Sequence, residues 1–286
     1  MLKVLALLAS PRKLGNCEIM AKAIDQSIPQ AHTTRYLRLH DFKIKPCIGC
    51  YRCLFKTRRC ILDDDLAIIV DAMADADALL LLVPAYFLGA NGLLKVLLDR
   101  GLSFYGRGRD LWGKPALGVG IAGIPGKEGA TLLGIENFLK LTLCRIKVLE
   151  IVYGALPGEI FFLERNRVLA KRLGRALMAP ADRAPTAPSC PVCGGTTFRF
   201  LDAAQAQCML CSNSGPVTHD DQGLAFQIQP SDHEFFRSIQ DAQEHEQWLQ
   251  EMKQRFVAYK KELKQISSAY RKGEWSWVQP PSGQEG

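Results

Sequence analysis

Four cysteines, Cys47, Cys50, Cys53 and Cys60, fall in one short stretch with the spacing C-x2-C-x2-C-x6-C. Thiolates spaced this way converge on a single inorganic centre without help from the rest of the chain. The flanks, His40 to Pro46 and Phe55 to Arg59, are polar and basic, which argues against a run of buried structural cysteines. Nothing else in the chain reads as secreted, so a metal or redox centre is expected over disulfides. A bare or zinc-bound loop is the other option that the spacing leaves open. A second set, Cys190, Cys193, Cys208 and Cys211, has the spacing C-x2-C-x14-C-x2-C, that of two zinc knuckles joined by a hairpin, with Gly194-Gly195 turning the first knuckle. So small a module lacks a core without metal. A tetrahedral S4 site suits zinc or rubredoxin-like iron, and structural zinc is the expectation. His219, His233 and His245 lack ligand spacing and are expected in surface or capping roles.

These groups need a frame. Leu2 to Ala9 is the apolar run of a central parallel strand, and Cys17 to Ser27 has helical spacing. Further strands are expected at Thr33–Leu39, Ala78–Val83, Pro115–Ala122 and Val148–Tyr153. Helices are expected from the acidic caps Asp63-Asp64-Asp65 through Ala74, then over Asn91–Leu102, Ala130–Ile146 and Ile160–Met178. Five such βα units make a doubly wound sheet, whose ligands bind past the carboxyl ends of its strands. After strand one, Ser10, Asn16 and Cys17 offer a hydroxyl, an amide and backbone N–H groups at a helix start, where phosphate is favoured, and Arg12 adds charge. After strand three, Pro84-Ala85-Tyr86-Phe87-Leu88-Gly89 is an apolar, aromatic turn suited to a flat ring. After strand four, Gly123 to Gly129 lets backbone approach a ligand closely.

Ser10-Pro11-Arg12 with Gly15-Asn16, Pro46 to Cys53, Pro84-Ala85-Tyr86, and Lys95 to Asp99-Arg100 together resemble the flavodoxin-fold NADPH-dependent FMN reductases, specifically their iron-sulfur flavoprotein branch. The resemblance covers roughly one doubly wound domain. It implies a flavodoxin-like α/β fold with a parallel five-stranded sheet. It implies an FMN phosphate held by Ser10, Arg12, Gly15, Asn16 and Cys17, and an isoalloxazine against Pro84, Ala85, Tyr86, Phe87, Leu88 and Gly89, with Gly123 nearby. It also implies a [4Fe-4S] cluster on Cys47, Cys50, Cys53 and Cys60, NAD(P)H as a co-substrate, and homo-oligomers. Cys17 departs from the Ser or Thr more usual at its position, which leaves only its backbone N–H as a donor. No side chain reads as a general acid or base, as expected where the chemistry belongs to cofactors.

The rest of the chain is read as appendages. Of 286 residues, 48% are hydrophobic and 23% charged, enough for one full core and a smaller module, and the cytoplasm is the expected compartment. The greasy stretch Ala78 to Leu98 is interrupted by Pro84, Asn91 and Lys95, so no membrane span is expected. Residues 1–179 form the flavin domain, 180–189 a Pro- and Ala-rich linker and 190–230 the ribbon. Ser231 to Glu234 reads as a capping box opening one long amphipathic helix over 231–273, with Trp275 and Trp277 in a tail over 274–286. Residues 1–180 carry 26 Lys and Arg against 16 Asp and Glu, whereas 181–286 carry 10 against 13. The acidic rear argues against nucleic acid as a partner. The expected function is passage of reducing equivalents from NAD(P)H or a ferredoxin-like donor to an acceptor. The alternatives are a plain FMN or quinone reductase without a cluster, and a redox-responsive binding protein using the ribbon and helix.

Overall fold

A computed structural model describes residues 1–180, 188–220, 223–271 and 278. Most of the expected linker, and Trp275 and Trp277 in the expected tail, lie outside the described residues. The apolar run at the start forms β1 (Leu2–Leu8), buried over Val4 to Leu8. It is flanked by β2 (His32–Arg38) and β3 (Ala78–Tyr86), and β5 (Pro115–Ala122) and β6 (Arg145–Tyr153) complete a parallel sheet of order β2-β1-β3-β5-β6. A two-residue strand, β4 (Gly89–Ala90), pairs antiparallel with β3. Order reversal between β1 and β3 makes the switch point at which such sheets bind ligands.

Helices cover both faces. On one side α1 (Asn16–Asp25) and α6 (Glu164–Ala176) bury Met20, Ile24, Ala170 and Leu173 against Leu8, Leu80 and Val119. On the other, α2 (Leu66–Asp75), α3 (Gly92–Asp99) and α5 (Thr131–Leu141) pack Ile69, Met73, Leu94, Leu97 and Phe138 against Leu5, Leu79 and Leu81. At about 25 cal/mol per Å2 of apolar surface removed from water, such layers supply the main stabilising term. A 3-10 stretch over Gly101–Arg107 and a short α4 (Gly108–Leu111) follow α3, so the helix expected to Leu102 stops at Asp99.

Two further boundaries differ from the sequence reading. The helix expected over Ala130–Ile146 ends at Leu141, because Leu143 turns left-handed at φ 66 and Arg145 already pairs with Pro115 in the sheet. An apolar run such as Leu143 to Ile146 satisfies helix and buried strand alike. The helix expected from Ser231 begins instead at α7 (Ile239–Ala258) and breaks at Tyr259 before α8 (Lys260–Ala269). The working capping box is Ser238 and Asp241: the Ser238 N–H donates to Asp241 Oδ2 at 2.6 Å and the Asp241 N–H to Ser238 Oγ at 3.0 Å.

The ribbon is a sheet of β7 (Phe198–Phe200), β8 (Gln205–Cys208), β9 (Ser214–Asp220) and β10 (Gly223–Phe226), antiparallel throughout. Its small core includes Cys190, Cys208, Phe226, Ile228 and Phe236, and it is shared with Leu143, Tyr105 and Trp112 from the α/β layer. Residues 1–246 form one compact unit and residues 247–286 another. No helix among the described residues is long and apolar enough to cross a membrane.

Candidate functional site

Loops at the carboxyl ends of β1, β3, β5 and β6 gather the predicted flavin residues. Ser10 leaves β1 nearly buried, and its hydroxyl accepts the Arg12 N–H at 3.3 Å. α1 has Gly15 as its N-cap, without any side-chain cap, so its first backbone N–H groups stand without intrahelical acceptors. A Cβ on Gly15 would come within 2.9 Å of Arg12 Cβ, so the turn needs glycine for space. Leu14 is left-handed at φ 51, held by its N–H to Glu18 Oε2 at 2.9 Å. Arg12 is exposed, with Nη1 3.5 Å from the Ala155 carbonyl.

Two of the predicted ligands are otherwise engaged. Asn16 Nδ2 donates to the Gly154 carbonyl at 2.9 Å, and its Oδ1 accepts the Gly158 N–H at 2.8 Å. Its amide therefore ties the β1 loop to the β6 loop. Cys17 is buried, and burial pushes its thiol up to about 12, against a hydrogen bond with Ser10 that lowers it. This thiol is neutral and inert. What fits a phosphate is the uncapped helix start plus Arg12.

The turn after β3 is built against its own sequence. Ala85 pairs with Ala90 and Tyr86 with Gly89, leaving Phe87 and Leu88 as the two central residues, at φ 47 and 62. A two-residue hairpin of this kind normally carries Asn and Gly. Left-handed backbone in bulky residues costs about 1–2 kcal/mol each. Strain of this sort clusters at ligand clamps. Phe87 is fully exposed, and Tyr86 and Leu88 are also open. The turn is held from behind: the Ala130 N–H donates to the Leu88 carbonyl at 2.8 Å, and Gly129 lies so close that any side chain there would collide with it. Asn91, buried, donates its N–H to the Pro84 carbonyl at 3.1 Å and caps α3 by accepting the Leu93 N–H at 2.9 Å. Gly123 stays open, 3.6 Å from Ala155 at its notional Cβ. The rigid, exposed aromatic tip fits one face of a flat ring. The β6 loop, Gly154 to Gly158, was missed by the sequence reading, although Pro157-Gly158 marks a turn there.

The cysteine loop carries three left-handed residues, Gly49, Tyr51 and Arg58, around a one-turn π-helix over Cys53–Thr57. Such π turns occur often at functional sites. Cys47 and Cys50 are exposed, and Cys53 and Cys60 half-buried. Among the described residues, the group of sulfurs close enough to share one ion is the ribbon's, and the loop's four are not drawn together in that way. They are still mutual neighbours: burial first, then charge on Cys60, Cys50 and Cys47, push the Cys53 thiol up. The loop's neck is closed by a buried pair, Arg100 Nη1 to Asp64 Oδ2 at 2.7 Å. Asp64, expected only as a helix cap, does accept the Leu66 N–H at 3.2 Å, but Arg100 is its main partner.

In the ribbon, the ligand atoms of Cys190, Cys193, Cys208 and Cys211 all lie within 4.8 Å of one another, with Cys190 to Cys211 at 3.8 Å and Cys193 to Cys208 at 3.6 Å. A disulfide would need about 2.05 Å. Four thiolates at about 2.3 Å from a tetrahedral ion stand about 3.8 Å apart, so the site fits zinc. The Gly195 N–H points at Cys193 Sγ, 3.4 Å away. Hydrogen bonds from Cys193, Cys208 and Cys211 hold the Cys190 thiol well below the ordinary thiol range. His233 and His245, expected in separate surface or capping roles, are joined ring to ring, Nε2 to Nδ1, at 2.8 Å.

Fold and loops define a flavodoxin-like α/β protein with a metal-binding extension. Residues 2–142 match the family model of the NADPH-dependent FMN reductases, so this part of the chain is similar to that family. The chain is 34% identical over 100 residues to an iron-sulfur flavoprotein of Methanocaldococcus jannaschii, covering 35% of this chain and 51% of that one. It is 27% identical over 163 residues to an iron-sulfur flavoprotein of Archaeoglobus fulgidus, covering 56% and 72%. The chain spans about half the length of the first curated relatives it matches. A solved structure of a flavone reductase superposes with a TM-score of 0.75 at 19% identity, covering 98% of this chain and all of that one, so the fold extends through the ribbon.

Proposed function

We propose that the protein is an FMN-dependent oxidoreductase of the iron-sulfur flavoprotein type, taking reducing equivalents from NAD(P)H or a small redox protein to an acceptor. The observation that carries this reading is the strained, exposed Phe87-Leu88 turn after β3, next in the sheet to β1 and the uncapped α1 start that follows it, at the switch point. In this reading Arg12, Ser10 and the backbone at Gly15 to Cys17 bind the FMN phosphate, and Asn16 holds the opposite loop in place. Pro84 to Gly89 orients the ring, with Gly123 leaving room for it. Cys47, Cys50, Cys53 and Cys60 hold a [4Fe-4S] cluster, and the ribbon cysteines hold structural zinc. When bound, FMN supplies hydride-pair chemistry and the cluster one-electron exchange. The chain's own part is binding, orientation and electrostatics, consistent with the lack of a general acid or base among the predicted site residues.

The test is an absorbance spectrum of anaerobically purified protein with iron, sulfide, zinc and FMN quantified per chain. About four irons with sulfide, one FMN and one zinc are expected. FMN and zinc without iron would make the protein a plain flavin reductase with a thiol loop. Unchanged one-electron reduction of an acceptor by Cys50→Ser would exclude the cluster from the electron route.

A further inference from the structure

The Arg100 guanidinium is built into the neck of the cysteine loop. Its side chain and that of Asp64 are each 1% exposed. Nη1 donates to the Lys45 carbonyl at 2.6 Å and to Asp64 Oδ2 at 2.7 Å, and Nη2 to Asp64 Oδ1 at 3.3 Å. The same carboxylate accepts the Lys45 N–H at 2.9 Å. Residues 45 and 64 bracket Cys47 to Cys60, so this one pair fastens the two strands of chain entering and leaving the loop.

One donor is left over. Arg100 Nε is buried and has no hydrogen-bond partner. Buried N–H groups are nearly always satisfied, and an orphan marks a missing acceptor. Cys60 is the side chain that lies against the guanidinium beside Asp64. A neutral thiol is a weak acceptor, whereas hydrogen bonds between ionised groups are short and strong. A fixed, buried cation with a spare N–H therefore stands next to one cysteine of the four-thiol loop.

We propose that Arg100 is a positioning residue for the metal centre of the cysteine loop: its Nη groups close the neck on Lys45 and Asp64, and its Nε–H donates to the Cys60 sulfur when that sulfur is a metal-bound thiolate. This rests on the reading of Cys47, Cys50, Cys53 and Cys60 as cluster ligands. Hydrogen bonds to cluster sulfurs favour the more negative, reduced state and raise its potential. Arg100 thus sets the potential as well as the shape of the site.

The test uses full-length protein, reconstituted anaerobically with iron and sulfide and carrying arginine labelled with 15N at Nε alone. Pulsed EPR of the reduced cluster is expected to show a 15N coupling that disappears in Arg100→Lys, which keeps a cation opposite Asp64 but has no Nε–H. The midpoint potential of Arg100→Lys is expected to fall while FMN and zinc per chain stay unchanged. A wild-type protein with a full cluster and no 15N coupling overturns the proposal, whether or not the variant folds. A variant with unchanged potential overturns it as well. If wild type takes up no iron, or Cys50→Ser takes up as much, the cluster reading itself has failed and this proposal falls with it.

Discussion

Asn16 and Gly158 are joined by a 2.8 Å hydrogen bond from the Gly158 N–H to the Asn16 side-chain carbonyl, across almost the whole α/β layer in sequence. With the second bond to Gly154, one amide sets the distance between the loop that starts α1 and the loop that follows β6. Asn16→Ala removes both bonds and leaves backbone groups short of partners, a loss of about 1–3 kcal/mol. The expected outcome is a lower thermal midpoint together with weaker FMN binding, read by flavin fluorescence titration. Unchanged FMN affinity would show that the two loops need no tie.

The turn at Phe87 and Leu88 separates stability from binding. Leu88→Gly relieves a left-handed backbone but gains unfolded-state freedom, so a net stabilisation of about 0.5–1 kcal/mol is expected in the flavin-free protein. Phe87→Ala removes a fully exposed ring and is expected to shift stability by less than about 0.5 kcal/mol. Both variants are expected to bind FMN more weakly. Thermal melts and FMN titrations on the same samples check this, and a Phe87→Ala protein with wild-type FMN affinity would remove the ring from the site.

Removal of a ribbon metal is expected to be felt beyond the ribbon. Because Leu143, Tyr105 and Trp112 share a core with Cys190, Cys208 and Phe226, Cys211→Ser is expected to abolish zinc binding and to disturb Trp112. Structural zinc in such small modules is worth roughly 10–16 kcal/mol, so a ribbon that holds zinc as proposed is expected to unfold when it is removed. Zinc per chain and tryptophan emission before and after chelation are the measurements. A chelated protein with unaltered emission would show that the shared core stands alone.

Glu18 gives the turn before α1 an acid limit. Its carboxyl is held down to about 2 by its hydrogen bond with Lys22 first, then by the Leu14 N–H and Arg38, against a burial effect that raises it. Its folded value lies below the unfolded one near 4.5, so its contribution is fully present above that value and is lost as pH falls towards 2. Since Leu14 is part of the turn, FMN affinity is expected to decline over the same window. Glu18→Gln, lacking the titration, is expected to be weaker at neutral pH and flatter below pH 4.5. An identical acid limb in both proteins would assign it to other groups.

The parallel sheet was legible because β1, β3 and β5 are unbroken apolar runs, which few other structures accept. The grouping of the four ribbon sulfurs was equally legible, since their spacing in sequence already brings them together. Helix ends were not: Leu143 breaks α5 by a backbone choice that no residue type there announces. Nor did Asn16 and Cys17 reveal that their side chains face inward, because a motif names residues and not the direction in which they point. Asp64 and Arg100 were seen as a cap and as part of a motif. That they meet in the interior is a property of the crossover between α2 and α3, invisible in a sequence read segment by segment.

The Arg100–Asp64 pair gives the two cysteine sites different life histories. In the ribbon the sulfurs sit within the small core itself, so an ion held there would be part of the local scaffold. In the cysteine loop the neck is fastened by a guanidinium on a carboxylate and a backbone carbonyl, with no sulfur in the fastening. If Cys47, Cys50, Cys53 and Cys60 hold a cluster as proposed, its removal is expected to leave the neck closed, because the Arg100–Asp64 pair does not depend on the sulfurs.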